Sequence, residues 1–258
     1  MARRVTPGLG GEQIEGRRAV RELLVANRRP VRELWIGEGQ DPGQDQAGGL
    51  GDIAALAANR GVPVRTVPRD RLIATAKTDA PQGVLAFARP LPAASLEELV
   101  KARPGLANPF LLLLDGVTDP GNVGALLRTA ECAGATGAVL PRHRAAHVTP
   151  AVAKAAAGAI EHLPIAVVAG IASALRTLAS ADVWTVGLDP DARASLWELG
   201  LASEPIALVL GAEGRGLSRL VRERCDSLVA IPQKGATASL NVAAAGALAC
   251  FEVARRRE

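Results

Sequence analysis

Two stretches near the end of the chain decide the reading: Ala207-Leu208-Val209-Leu210-Gly211-Ala212-Glu213-Gly214-Arg215-Gly216-Leu217-Ser218, and Ile231-Pro232-Gln233-Lys234-Gly235-Ala236-Thr237-Ala238-Ser239-Leu240-Asn241-Val242-Ala243-Ala244-Ala245. Each opens on a short apolar run that reads as a buried strand. Each then breaks into glycine or small polar residues, where backbone can approach another group without a Cβ in the way. The second resumes as an Ala-rich helix from about Asn241. Two such loops suit a flat, partly polar cofactor.

The glycines invite a dinucleotide-binding reading, because they follow a strand and precede a helix. The order is G-x-x-G-x-G, however, not G-x-G-x-x-G, and no acidic residue closes a following strand for a ribose. Gly-Lys-Ser/Thr is absent, which removes a P-loop. Glu213 sits in the turn, where a carboxylate would repel a pyrophosphate and would suit an arginine or a hydroxyl.

Outward from these loops, strands and helices alternate. Phe110-Leu111-Leu112-Leu113-Leu114-Asp115 is a continuous apolar strand of the kind buried on both faces. Further strands are expected at 138–140, 165–168, 184–188, 206–210 and 228–231, with helices from Asn122, at 149–159, 175–179 and 217–224, and from Asn241 to Arg256. This alternation predicts an α/β fold with a mostly parallel sheet covered on both faces. Upstream, an amphipathic helix from Glu12, strands at 31–36, 62–67 and 83–88, and a helix capped by Asp52 make a smaller α/β unit. Residues 1 to about 10 read as a disordered tail, 11–88 as the first domain, 89–108 (rich in proline) as a linker, and 109–258 as the second domain. Gly37 to Gly51 reads as a flexible loop.

The 258 residues are ample for a real core. Apolar residues are 48% of the chain, without a run long enough to cross a bilayer. The start carries charge but no apolar segment behind it, so no secretory signal is expected and the predicted location is cytoplasmic, without a membrane partner. Cys132, Cys225 and Cys250 are widely spaced and odd in number, which matches neither a disulfide framework nor a metal site. The net charge of +4 and a pI near 9.4 favour an anionic partner. Nearly all that charge is arginine, which grips phosphate bidentately, although a GC-rich coding bias would enrich arginine too. Tyr is absent and Phe occurs three times, so a base-stacking platform is not expected.

Chemistry-bearing residues fall in three places. Asp115-Gly116-Val117-Thr118-Asp119-Pro120-Gly121-Asn122 leads through a Pro-Gly turn into a helix that Asn122 can cap, and Arg128 follows off its apolar stripe. Glu213 stands in the glycine turn. Ser239-Leu240-Asn241 precedes the last helix, where capping is the plain structural reading.

Singly these are weak; in this order and spacing they resemble the three motifs of the SpoU (TrmH-like) family of SPOUT RNA methyltransferases. Those are an Asn followed six residues on by Arg, then Leu-Gly-x-Glu-x-x-Gly, then Ile-Pro-x-x-Gly-x-x-x-Ser-Leu-Asn-Val. The first unit is similar to the L30e-like substrate-binding domain of bacterial 23S rRNA guanosine 2′-O-methyltransferases, through Glu12–Leu24 and Pro81-Gln82-Gly83-Val84. Ala157–Pro164 also follows the pattern.

The resemblance implies a C-terminal SPOUT domain with a deep trefoil knot, an exception to unknotted topology, and a homodimer with its cofactor site near the interface. It implies S-adenosylmethionine as cofactor, touched by Leu210, Gly211, Gly214, Ile231, Gln233, Ser239 and Leu240. It places Asn122, Arg128, Glu213, Ser239 and Asn241 in the catalytic set, with Arg128 as the base in the family's mechanism. A guanidinium gives up a proton reluctantly, so Arg128 is expected here to orient a phosphate and stabilise the developing oxyanion, with Asn122 and Glu213 holding it. The reaction implied is methyl transfer to a ribose 2′-hydroxyl of RNA, of a guanosine in 23S rRNA. Arg17, Arg18, Arg21, Arg142 and Arg144 are the expected RNA contacts, with the tail Arg255–Arg257 as further candidates; no metal is expected.

The sequence departs from the family pattern at Pro81, where His commonly stands, and at Gln233, where Met does. A nucleotide-binding oxidoreductase, a tRNA or antibiotic-resistance rRNA enzyme of the same family, and a catalytically silent RNA-binding relative are the alternative readings.

Overall fold

A computed structural model of the chain describes residues 8–39, 49–101, 108–143, 147–235 and 239–258. Contacts divide it into two units: Met1–Ala93 with His147–His162, and Ala94–Ala146 with Leu163–Glu258. Segment 147–162, which strand–helix alternation assigns to the second domain, therefore groups with the first unit.

In the first unit, β1 (Gln13–Glu15), α1 (Arg17–Ala26), β2 (Val31–Gly37), α2 (Leu50–Asn59), β3 (Val64–Val67), α3 (Arg69–Thr75) and β4 (Val84–Ala88) follow in order. The sheet runs β1-β4-β2-β3, with β2-β3 parallel and the other pairs antiparallel. Gln13–Glu15, expected to lie in a helix starting at Glu12, is instead an edge strand paired to β4. Gly16 at φ 90° separates it from α1, a conformation glycine adopts without a Cβ penalty. Leu23 and Leu24 of α1 are buried as the periodicity predicts. Gly49, not Asp52, caps α2, and Asp52 lies in the first turn, where its charge favours the helix N-terminus. α3 was not legible in the sequence. Leu9 and Gly10, expected within a disordered tail, are placed: Leu9 is buried and its N–H bonds the Leu91 carbonyl at 2.9 Å.

The second unit holds α4 (Leu96–Leu99), β5 (Phe110–Asp115), α5 (Pro120–Cys132), β6 (Gly137–Pro141), β7 (Ile165–Val168) and α7 (Ile171–Ala179); α6 (Pro150–Ala155), between β6 and β7 in the chain, is part of the first. β8 (Trp184–Leu188), β9 (Ala194–Ser195), β10 (Ile206–Gly211), α8 (Arg219–Arg224), β11 (Ser227–Ala230) and α9 (Val242–Arg257) complete it. Its seven-stranded sheet runs β7-β6-β5-β10-β8-β11-β9, and every recorded pairing is parallel. Both faces are covered, as the continuous apolar strands require. Leu111, Leu113, Ala207 and Val209 pack with α4, α7 and α8. On the other face, Gly246 of α9 lies against Leu126 of α5 and Leu210 of β10, so closely that a Cβ there would stand 2.2 Å from Leu126 Cδ2.

Strand order matters more for function than strand identity. The chain runs outward from β5 to β6 and β7, then returns to β8, leaving a gap that β10 later fills. In parallel sheets such a reversal opens a crevice beyond the carboxyl ends of the strands, where ligands bind. Asp115 and Gly211, paired in register, mark that edge.

Candidate active site

The glycine turn after β10 folds back on itself. Ala212 N–H donates to Gly216 O at 3.0 Å and Gly216 N–H to Ala212 O at 2.8 Å. Gly214 and Gly216 take positive φ, 72° and 64°. Gly211 has a different constraint: a Cβ there would stand 2.1 Å from Gly216 C and 2.3 Å from Leu217 N. The glycine at 211 is thus required by the chain's own return, not only by a ligand's approach. Beyond the turn, Asp115 Oδ2 accepts from Ser218 N–H at 2.7 Å and ties its exit to the end of β5.

This turn lifts Glu213 to meet two amides from distant segments. Glu213 Oε1 accepts from Asn122 Nδ2 at 2.7 Å and from Asn241 Nδ2 at 3.0 Å, and Asn241 Nδ2 also reaches Asn122 Oδ1 at 3.1 Å. A carboxylate accepts only, so it fixes which end of each amide faces it. Asn122 is not the cap of α5: Asp119 is, its Oδ1 accepting from Asn122 N–H at 2.7 Å. Asn241 does both jobs. Its Oδ1 caps α9 by accepting from Ala243 and Ala244 N–H, while its Nδ2 joins the triangle.

Two cavities flank the turn and share Ala212, Glu213 and Gly216. One, of about 380 Å³, lies between the two loops first quoted. Leu210, Gly211, Gly214, Ile231, Gln233, Ser239 and Leu240, all expected cofactor contacts, line it together with Asn241. Its walls are largely apolar, with backbone and a few polar groups on the rim, which suits a nucleoside cofactor. The other, of about 830 Å³, opens at the ends of β5 and β6 and is lined by Asp115, Thr118, Asn122, His143 and Arg215.

Other expected residues fall elsewhere. Arg128 is exposed on α5, bonds no described residue, and lines neither cavity; the carboxylate expected to hold it holds Asn122 and Asn241 instead. Ser239 is exposed on the smaller cavity and caps no helix among the described residues. Arg142 is exposed beside His143, and Arg144 lies outside the described residues. Arg17 and Arg18 open α1, and Arg21 is engaged by Asp52 at 2.9 Å and Glu22 at 3.0 Å. The C-terminal arginines act largely within their own unit: Arg257 bonds the carbonyls of Ala202, Asn108, Pro109 and Glu204, and Arg255 and Arg256 bind Glu252.

One charged residue lining the smaller cavity escaped the sequence reading. Asp189 follows β8 and lines the smaller cavity, its side chain 9% exposed, accepting from Asp191 N–H at 2.9 Å and paired with Arg222 at 2.6 Å. The available signal was an acidic residue directly after a strand.

Residues 109–251 match the model of the SpoU rRNA Methylase family, and residues 13–94 match the model described as RNA 2′-O ribose methyltransferase substrate binding. A putative TrmH family tRNA/rRNA methyltransferase of Bacillus subtilis is 38% identical over 247 residues, covering 95% of this chain and 96% of the relative. A 23S rRNA (guanosine-2′-O-)-methyltransferase of Pseudomonas putida is 38% identical over 250 residues, covering 96% and 97%. Among solved structures, an AdoMet-bound rRNA methyltransferase from Sinorhizobium meliloti superposes with a TM-score of 0.75 at 26% identity, covering 95% of this chain and 87% of that one.

Proposed function

The chain belongs to the SpoU rRNA methylase family, and from that premise we propose that it methylates a ribose 2′-hydroxyl of RNA, at a guanosine of 23S rRNA, using S-adenosylmethionine. The observation that carries the reading is the Asn122–Glu213–Asn241 triangle, standing between two cavities that share Glu213. The smaller cavity fits the cofactor's adenosine, with backbone of Leu210 and Ile231 and the side chains of Gln233, Ser239 and Leu240 around it. Bound there, S-adenosylmethionine supplies a methyl group on a positively charged sulfur. The larger cavity takes the nucleotide to be modified.

A ribose hydroxyl is a weak nucleophile at neutral pH and gains from an acceptor for its proton and donors for the oxyanion. Glu213 Oε1 is occupied by the two amides, and no described residue donates to Oε2. Oε2 is therefore the acceptor this chain offers, while Asn122 and Asn241 hold the carboxylate in place. Arg128 serves as a phosphate-orienting and oxyanion-stabilising group. Because it lies outside its own chain's triangle, we place it at the site of a partner copy in a homodimer. The outer face of α9 supports such pairing: Ala244, Leu248 and Phe251 are exposed along one stripe, Phe251 at 52%. The all-parallel sheet and the tight return at Gly211 support the trefoil knot of the family. No helix among the described residues is long and apolar enough to cross a membrane, and the location we propose is cytoplasmic.

The test pairs cofactor titration with mapping of 2′-O-methyl groups in 23S rRNA of a deletion strain. Binding of S-adenosylmethionine but not NAD, and loss of one ribose methyl restored by the gene, is the expected result. Glu213→Gln keeps an oxygen for both amides and should lower kcat by about tenfold or more, with cofactor affinity little changed. An unmodified methylation map, or NAD binding, overturns the reading.

A further inference from the structure

No acidic residue closes the strand that follows the glycine turn: β11 ends at Ala230 and runs into Ile231 and Pro232. The fold supplies one from a strand that precedes the turn in sequence. β8 stands between β10 and β11 in the sheet, parallel to both, with Gly187 opposite Val209 and Leu188 opposite Val229. Asp189 therefore leaves the sheet between the two strands that feed the loops of the smaller cavity. Its N–H extends the ladder by one bond, to the Val229 carbonyl at 3.0 Å. The end of β8 is tightly packed: a Cβ at Gly187 would stand 2.7 Å from Leu217 Cδ1 and 2.8 Å from Leu228 Cδ2.

Asp189 lines that cavity together with the apolar Leu188, Val229 and Ile231, and its side chain is 9% exposed. Among the described residues, the charged ones lining the cavity are Asp189 and Glu213. Glu213 Oε1 is committed to Asn122 and Asn241. Burying a carboxylate in an apolar wall is costly unless it is paired and hydrogen-bonded. Arg222 of α8 supplies the opposite charge, its Nε 2.6 Å from Asp189 Oδ2, and Asp191 N–H donates to Oδ1 at 2.9 Å. A carboxylate has about four acceptor positions on its two oxygens, so each oxygen of Asp189 keeps room for one more donor. Because Arg222 balances the charge, a cationic group of the cofactor gains little here. Neutral donors gain most, and two adjacent ones match two oxygens.

We infer that Asp189, its charge balanced by Arg222, accepts hydrogen bonds from the 2′- and 3′-hydroxyls of the cofactor's ribose and so selects a ribonucleoside. A carboxylate at a strand end performs this task in dinucleotide-binding sheets; here the strand that carries it comes before the glycine turn, not after it. The inference rests on the reading of the smaller cavity as the S-adenosylmethionine site and names what reads the sugar there.

The test is calorimetric titration of the full chain with S-adenosylhomocysteine, the demethylated cofactor, and with its 2′-deoxy and 3′-deoxy counterparts. A hydrogen bond from a hydroxyl to a carboxylate corresponds to about ten- to a hundredfold in affinity, so wild-type protein should bind each deoxy compound more weakly by about that ratio. In Asp189→Ala both ratios should fall to about 1. A merely structural Asp189 would weaken parent and deoxy compounds alike and leave the ratios where they were. Asp189→Asn keeps the volume but not the charge; it should cut the ratios by about threefold or more, and it decides the matter if Asp189→Ala does not fold. A counterpart without the adenine 6-amino group should lose the same factor in wild type and variants. Either deoxy ratio near 1 in the wild type, ratios unchanged in the folded variants, or a variant effect confined to the 6-amino compound overturns the inference. Wild-type protein that binds neither S-adenosylmethionine nor S-adenosylhomocysteine would instead sink the functional reading.

Discussion

Gly211→Ala tests whether the glycine turn is built for its own return or only for its ligand. Gly211 is not among the residues with positive φ, so alanine is conformationally acceptable and space alone decides. Its Cβ would stand 2.1 Å from Gly216 C, 2.3 Å from Gly216 O and 2.3 Å from Leu217 N. Carbon contacts become comfortable at about 3.5 Å, and the obstructing atoms are backbone, so segment 216–217 must retreat by about an ångström or more. That opens the reciprocal Ala212–Gly216 pair, at about 1 kcal/mol for each hydrogen bond. It also moves Glu213 off Asn122 and Asn241, whose charge-assisted bonds are discounted here for exposure. The sum is about 2–4 kcal/mol. At 1.4 kcal/mol per factor of ten, affinity for S-adenosylmethionine should fall by roughly thirty- to a thousandfold. The melting temperature should fall by about 4–8 °C if the lower figure is felt globally. Titration calorimetry and a thermal melt read both. Gly200→Ala, with no atom within 4 Å of its Cβ position, is the control and should change neither. Wild-type affinity and melting in Gly211→Ala would refute the steric argument.

Two further outcomes follow from buried charge. Arg29 and Glu161 pair at 2.5 Å with side chains 2% and 1% exposed, and Arg29 also donates to the carbonyls of Gly11 and Arg89. Arg29→Ala strands a buried carboxylate and should cost about 3–5 kcal/mol in urea denaturation. Adding Glu161→Leu to an Arg29→Met protein should recover part of that, since the two carbonyls still lack their donor; a double variant no more stable than Arg29→Ala would count against the ion pair. Glu252 is held down to about 2, first by its hydrogen bonds from Arg255 and also by those from Arg256. A depressed carboxylate stabilises the fold above its unfolded value near 4.5 and loses that contribution as pH falls toward 2. Stability of Glu252→Gln should therefore vary less between pH 4.5 and 2 than that of the wild type, and equal slopes would refute it.

Local patterns carried far in this chain because each was sufficient by itself. A continuous apolar run such as Phe110–Leu114 has no polar face to expose, so it announces a strand inside a covered sheet. Five successive buried residues bear that out. Asn122, Glu213 and Asn241 were legible as a set because their residue types recur at family spacing. Their neighbours were not. Asp119 rather than Asn122 caps α5, since both are competent caps and only the phase of the helix chooses between them. Glu12–Glu15 looked helical because apolar spacing over so short a span is ambiguous between periods. Arg29 and Glu161 stand far apart in sequence, and nothing local marks either as buried.

The amino-acid sequence thus determined most of the elements, the parallel α/β class and the residue types of the Asn122–Glu213–Asn241 triangle, all of which depend on neighbours along the chain. Tertiary structure alone decided which strand stands between which. Inserting β10 between β5 and β8 sets Asp115 beside Gly211 and brings three loops to one crevice. It also decided what Glu213 holds: the amides of Asn122 and Asn241, with Arg128 left facing solvent. Strand order is chosen by the packing of whole faces and by the closure of long connections, and that free energy has no local sequence pattern to record it.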